Sequence, residues 1–251
     1  MTTTRPGSAL TPINVEVRLL KARAYQILRQ AIISLDLRPG EPLTERSLSA
    51  RLGVSKSPIR DALIQLEQER FVRSTPFKGF EVSPLTADYL RTNFQFREAL
   101  ELYAVEHFIL HYEEGPATAL KRNHEEVRDC LAEGDPERAY RVNRFHQILQ
   151  DTIDNPIFLA ARRVIEGHLR RIHNIAIMIS GRMAKTYDEH QAILNAIDRR
   201  DPEVARREMR AHIQSNLEDT RASDQFKKLA VVVPARPTRT PNSHKARAAA
   251  P

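Results

Sequence analysis

Tryptophan is absent from these 251 residues, cysteine occurs once and glycine only eight times. The single Cys130 excludes an internal disulfide and any cysteine-based zinc site, and a reducing compartment fits it. Aromatic residues make 6% of a chain that is 41% hydrophobic, so its cores are built mainly from aliphatic side chains. Scarce glycine argues against an all-β fold dense in turns and for a helical one. No apolar run approaches the roughly 20 residues that span a bilayer. The opening MTTTRPGSALTPINVEV has no apolar stretch of the kind that drives secretion. These absences give the expectation of a cytoplasmic protein with no membrane partner.

Charge is plentiful and uneven. The net charge is +7. Residues 1–85 hold 13 Lys and Arg against 8 Asp and Glu, a net of +5. Residues 86–225 hold 20 against 24, a net of −4, and residues 226–251 hold 6 against none. Basic ends around an acidic middle suggest a polyanion partner for one part of the chain.

The pattern along the chain is mainly α. Residues 1–14 read as a flexible arm. From Val17 to Leu35, apolar residues recur every three or four positions, and Pro39-Gly40 stops that helix. A second helix is expected from Thr44 to Leu52, with Gly53 ending it in the left-handed C′ position. Ser55 stands ready to cap a third helix whose first turn holds Pro58. FVRSTP and GFEVSP read as two strands joined through Phe77-Lys78-Gly79. Three helices and a hairpin within residues 15–85 make a winged helix-turn-helix. Helical runs follow at about 86–113, 117–133, 136–153, 156–180, 186–199 and 202–222, an all-α six-helix bundle within residues 86–225. Asp135-Pro136 and Asp201-Pro202 each place a capping Asp before a Pro at the first helical position. The Pro-rich, basic residues 226–251 read as a disordered tail.

In a helix-turn-helix the second helix of the pair enters the major groove with its N-terminal residues on base edges. Here that tip carries Ser55, Lys56, Ser57 and Arg60. Its free N–H groups and dipole favour phosphate, and Lys56 and Arg60 can donate to phosphate or to guanine. Arg46 lies on the preceding helix, near the groove edge. Lys78 and Gly79 form the wing tip, where glycine leaves room for a nucleic-acid backbone. Taken singly these are ordinary caps and solvated charges; taken in this order they form a DNA-reading surface.

The stretch LRPGEPLTERSLSARLGVSKSPIRDALIQLEQERFVRSTPFKGFEV resembles the DNA-binding domain of GntR-family transcription regulators. The matching positions include Pro39, Gly40, Leu43, Glu45, Leu48, Gly53, Val54, Ser55, Pro58, Arg60, Leu63, Glu69 and Gly79. Lys56 stands where the family has Arg, and Lys lacks the bidentate fork of that residue. FREALELYAVE, FHQILQDTIDNP and EHQAILNAIDRRDPEVARREMRAHI are similar to the all-helical FCD domain of the FadR-like branch. The resemblance implies a dimeric regulator, most often a repressor, that reads a palindromic operator and senses a small organic acid.

It also implies a metal site. Three histidines in such contexts bind a divalent ion, and His146, His190 and His212 match their positions. The family's fourth ligand, an Asp or Asn four residues before the first histidine, is replaced here by Val142, which cannot coordinate. Asn143, three residues before His146, is the expected weak substitute on the same helix face. Zinc is the expected ion, with nickel or manganese as alternatives. Arg97 stands where the family often has a pocket arginine and is the expected effector contact; its alternative is a salt bridge to Glu101. His168 and His173 are further pocket candidates, and His107, His111, His124 and His244 read as surface or structural.

Two other function classes compete. A metal-dependent hydrolase would use the three histidines to hold zinc and leave a water to react. The chain has no H-E-x-x-H motif, and Glu189 is expected to face away from its neighbour His190. A non-specific architectural DNA binder would rely on the basic ends alone and bind random duplexes equally well. The expected protein is not an enzyme.

Overall fold

The computed structural model describes residues 15–75, 79–177 and 179–230, with side chains from residue 19 onward. The arm expected over residues 1–14, Lys78 of the wing tip, and everything past residue 230, His244 included, lie outside that range.

The first unit is a winged helix-turn-helix. Helix α1 (Val15–Ile33) is followed by β1 (Pro42–Leu43), α2 (Glu45–Leu52), α3 (Lys56–Gln68), β2 (Val72–Thr75) and β3 (Gly79–Val82). Thr44 caps α2 by accepting from Ser47 N, and Gly53 ends it at φ 66. Those two signals set the turn between α2 and α3. The sheet has three antiparallel strands in the order β1-β3-β2. Its third member, β1, is two residues long and was not expected from the sequence, because Pro42 masks so short an edge strand. Arg73 faces Glu81 across β2 and β3 and pairs with it. Leu28, Ile32, Ile59, Leu63, Leu66, Phe71 and Val82 close the core of this unit.

The second unit is all helical: α4 (Ala87–Leu110), α5 (Glu114–Ala132), α6 (Pro136–Val142), α7 (Phe145–Asp151), α8 (Pro156–Ala176), α9 (Arg182–Asp198), α10 (Pro202–Ala222) and α11 (Asp224–Leu229). Asp135, Asn155 and Asp201 cap α6, α8 and α10, each before a Pro in the first turn. A separate core, including Phe94, Val105, Phe108, Leu120, Phe145, Ile172, Ile193 and Ile213, holds the bundle together.

Two features of the helical unit differ from the sequence reading. The helix expected over 136–153 is broken at Asn143-Arg144. The side chain of Asn123 on α5 clamps the break, donating to Val142 O at 2.8 Å and accepting from Arg144 N at 2.8 Å. The tail expected from residue 226 begins inside α11. Ser223 caps that helix and Phe226 is buried in the bundle core.

Helix α8 joins the two units. His168, Arg171 and Asn174, three residues apart on one face, each donate to a backbone carbonyl of the winged domain. The acceptors are Glu69 O (2.9 Å), Ser83 O (2.8 Å) and Ile33 O (2.7 Å). They lie at the ends of α3, β3 and α1, where carbonyls lack partners of their own. Gly167 admits the close approach: a Cβ there would lie 2.7 Å from Phe71 Cζ.

Candidate functional site

The α3 tip faces solvent. Ser55, Lys56, Ser57 and Arg60 are exposed, as is Arg46 on α2. Ser55 occupies the N-cap position, yet its side chain makes no capping bond, contrary to the sequence expectation. Its hydroxyl is therefore free. Arg60 is held only loosely, with Nε 3.7 Å from Glu45 Oε1. Gly79 sits at φ 81, a conformation that strains any other residue, at the described edge of the wing.

The three histidines converge inside the bundle. His146 comes from α7, His190 from α9 and His212 from α10, and one ligand atom from each lies within 4.8 Å of the others. His146 Nε2 is 3.2 Å from His212 Nε2 and 3.3 Å from His190 Nε2. Two carboxylates fix the rings. Glu101 Oε2 accepts from His146 Nδ1 at 3.0 Å, and Glu189 Oε2 accepts from His212 Nδ1 at 2.7 Å. With Nδ1 of each ring donating to its carboxylate, both Nε2 atoms point inward. Two imidazole lone pairs cannot hydrogen-bond each other, and the cation beside them is the Arg97 guanidinium, whose Nη2 is 2.9 Å from His146 Nε2. Burial holds His190 and His212 well below the usual histidine range, and neighbouring cationic groups add to the effect. Both are thus in the neutral form that metal ligation needs. Burial works to raise the Glu101 carboxyl, but His146 and Arg97 hold it below its usual value.

The donor set fits a divalent ion through three imidazoles. Asn143, the expected weak fourth ligand, lines the same cavity as His146. It ends α6 as the C-cap, and its Oδ1 accepts from Phe145 N at 3.2 Å. Val142 packs instead with the small apolar cluster of Val127, Cys130, Ala139 and Met183.

Arg97 on α4 is buried beside the cluster. Its Nη2 donates to His146 Nε2 at 2.9 Å and lies 3.4 Å from His212 Nε2. Glu101 Oε1 is 3.7 Å from Arg97 Nε, which is the salt bridge expected as the alternative to an effector contact. Arg97 Nε and Nη1 are sealed from solvent without a partner. Arg97 lines a cavity of about 570 Å³, together with His146, Tyr140, His173 and Asn174. Ile33 and Gln30 of α1 reach the same cavity.

Other histidines sort by structure. His173 lines the cavity, but His168 does not; it stacks on Phe71 at 4.2 Å in the joint between the units. His124 is buried, stacks on Tyr187 at 4.0 Å and bonds to Gln191. Sequence reasoning missed Glu101 as a ring holder and expected Glu189 only to face away from its neighbour His190. Glu189 does leave its neighbour His190, but only to reach across to His212 on α10.

Comparison with known proteins settles the family. Residues 20–82 match the bacterial regulatory proteins of the gntR family, and residues 93–215 match the FCD domain. An uncharacterized HTH-type transcriptional regulator of Streptomyces ambofaciens is 30% identical over 196 residues, 78% of this chain and 82% of that protein. The chain belongs to the GntR family. Among its relatives, the uncharacterized regulator YdhC of Bacillus subtilis is 29% identical over 77% of this chain and 88% of its own length. The transcriptional repressor RspR of Escherichia coli is 23% identical over 84% and 90%. Two solved structures share the fold. E. coli McbR/YncC has a TM-score of 0.61 at 22% identity, over 80% of this chain and 97% of that one. A GntR regulator from Rhodococcus sp. RHA1 has a TM-score of 0.61 at 20% identity, over 81% and 98%. This GntR protein is thus a DNA-binding transcription regulator with a helical effector-binding domain, and not an enzyme. No helix among its described residues is long and apolar enough to cross a membrane.

Proposed function

We propose that this regulator is a cytoplasmic repressor that binds a palindromic operator as a homodimer and senses a small carboxylate in a metal-containing pocket. Arg46, Ser55, Lys56, Ser57, Arg60, Lys78 and Gly79 form its DNA surface. His146, His190 and His212 hold zinc, with the fourth position left to water or an effector oxygen. Bound zinc supplies an electrophilic anchor for that oxygen. Arg97 is the second anchor. The repressor reading draws support from RspR, a relative that carries that name. The homodimer draws support from an exposed apolar stripe. Phe96, Tyr103 and Leu110 recur every seven residues on α4, and Ile157 and Val164 do so on α8. Two-fold packing of such a stripe spaces two α3 helices for successive major grooves.

One observation carries the effector reading: two orphaned N–H groups of a buried guanidinium beside a cavity. Each such donor costs about 1–3 kcal/mol while unpaired. A carboxylate bound there would accept from one of them and pair with the guanidinium charge. A thermal-shift screen of organic acids, run with zinc and with EDTA, tests it. An acid that raises Tm of the wild type should fail with Arg97→Lys, which keeps the charge and loses the fork. An undiminished shift in that variant refutes the role of Arg97. Zinc content that survives His146→Ala, His190→Ala and His212→Ala alike refutes the metal site.

A further inference from the structure

Arg97 reaches in among the three imidazoles. Its Nη2 is 2.9 Å from His146 Nε2 and 3.4 Å from His212 Nε2. Those two ring nitrogens are 3.2 Å apart, and His190 Nε2 is 3.3 Å from His146 Nε2. The Nδ1 atoms of His146 and His212 are already engaged with Glu101 and Glu189. Each of these two neutral rings therefore has one lone pair to give, on Nε2. In His146 the Arg97 guanidinium takes it. A divalent ion held by the three imidazoles needs that same lone pair, and a lone pair serves one partner at a time.

Charge sharpens the contest. Arg97 is buried, and among the described residues the carboxylate paired with it is Glu101, 3.7 Å from Nε. Glu101 is shared, since its other oxygen accepts from His146 Nδ1. Burial is the first cause of the low pKa of His190 and of His212, and the Arg97 charge is a further cause at both. A field that keeps protons off these rings also opposes a metal ion among them, in a site where water screens little.

We propose that Arg97 is a built-in competitor for the metal site: it clamps His146 and His212 through Nε2 and gives up that contact when a divalent ion arrives. This rests on the metal reading above and adds to it what sets the affinity. Metal binding breaks a buried charge-assisted hydrogen bond, so zinc is held more weakly than the same three imidazoles would hold it alone. Arg97 also lines the cavity of about 570 Å³, so its displacement carries the state of metal loading to the wall that an acid meets.

The test is zinc affinity of the full chain, stripped with a chelator and titrated in competition with a chelating dye. Arg97→Met keeps a long stem and removes the charge and the donors. It should bind zinc at least about tenfold more tightly than the wild type, the factor expected of one charge-assisted hydrogen bond. Arg97→Gln, which keeps a donor for Glu101, is read beside it in case the apolar variant does not fold, and should shift in the same direction. Melting gives a second reading: saturating zinc should raise the Tm of each variant by more than it raises that of the wild type. A residue that only supports the fold would lower Tm equally with and without zinc. A residue that helps to hold the metal would lose zinc affinity when replaced. Unchanged or weaker zinc binding in a folded variant overturns the proposal, and so does an equal rise in Tm. His190→Ala separates the proposal from the reading beneath it, because the histidine site requires that zinc binding be lost in that variant. If zinc binds as well without His190, the metal reading itself falls.

Discussion

Gly167→Ala sets two well-calibrated effects against each other. Gly167 lies within α8, and alanine in a helix interior is favoured over glycine by about 1 kcal/mol. Without the winged domain, the substitution should stabilise. In the whole molecule the new Cβ would meet Arg29 Nη2 at 2.3 Å and Phe71 Cζ at 2.7 Å. The arginine tip can swing aside. Phe71 cannot: it is fully buried, stacks on His168 at 4.2 Å and lies under Arg29 at 5.1 Å. Ordinary carbon contacts need about 3.5–4.0 Å, so either α8 or Phe71 must give by about 1 Å. Overpacking of this kind costs about 1–3 kcal/mol. The balance is a net loss near 1 kcal/mol, or about 2–4 °C in Tm for a chain of this size. Differential scanning calorimetry reads it directly. Gly115→Ala is the control, because a Cβ there meets nothing within 4 Å and its φ is ordinary; that variant should gain stability. A rise in Tm for Gly167→Ala comparable to the control's would refute the tight joint between α8 and the winged domain.

Three more outcomes follow from named groups. His168 donates through Nε2 to Glu69 O and therefore accepts at Nδ1 from Tyr89 Oη, 2.8 Å away; burial, first of all, lowers its pKa to about 4. A histidine kept neutral in the fold loses stability as pH falls below its unfolded value of about 6.5, with the loss complete near pH 4. The wild type should therefore lose about 3 kcal/mol more than His168→Gln across that window in urea denaturation, and parallel curves would contradict the assignment. Arg60→Ala removes a side chain that is 68% exposed, so Tm should stay constant while operator affinity falls by about 10–100-fold in a mobility-shift titration; unchanged affinity removes Arg60 from the DNA surface. Glu189→Gln takes the carboxylate from His212 Nδ1 and should weaken zinc by about 10–100-fold in competition with a chelating dye; unchanged affinity means that Glu189 does not orient the ring.

What the sequence discloses depends on how local the cause is. Thr44, Gly53, Asp135 and Asp201 act within one turn, and their roles are legible from the residue and its neighbours. The three histidines were legible through resemblance, since nothing local brings α7, α9 and α10 together. Glu101 and Glu189 were not: each matters because of a ring nitrogen on a different helix. The break at Asn143-Arg144 has no proline or glycine to announce it, and its cause, Asn123, sits twenty residues upstream on α5. It makes Asn143, the expected weak fourth ligand, the C-cap of α6, with its side chain closing the turn. For α11 the signal was present, a Ser223 cap followed by Phe226, but the basic residues after it read as the start of a tail.

His168, Arg171 and Asn174 teach the same lesson at a larger scale. Polar residues three apart look like a solvated stripe, yet here they bond the terminal carbonyls of α3, β3 and α1. On the same helix His173 faces the cavity, so one rigid element carries both the ligand side and the DNA-binding side. Three hydrogen bonds at a net of about 0.5–1.5 kcal/mol each amount to about 2–4 kcal/mol. Allosteric couplings are typically about 1–3 kcal/mol. A ligand that prefers α8 displaced has to overcome only an energy of this size, which binding in a buried site can supply. A weaker joint would leave the winged domain loose whether or not ligand is bound, and a much stronger one would hold it fixed in both states. The strength of these three bonds therefore suits them to pass a signal from the cavity to the α3 tip.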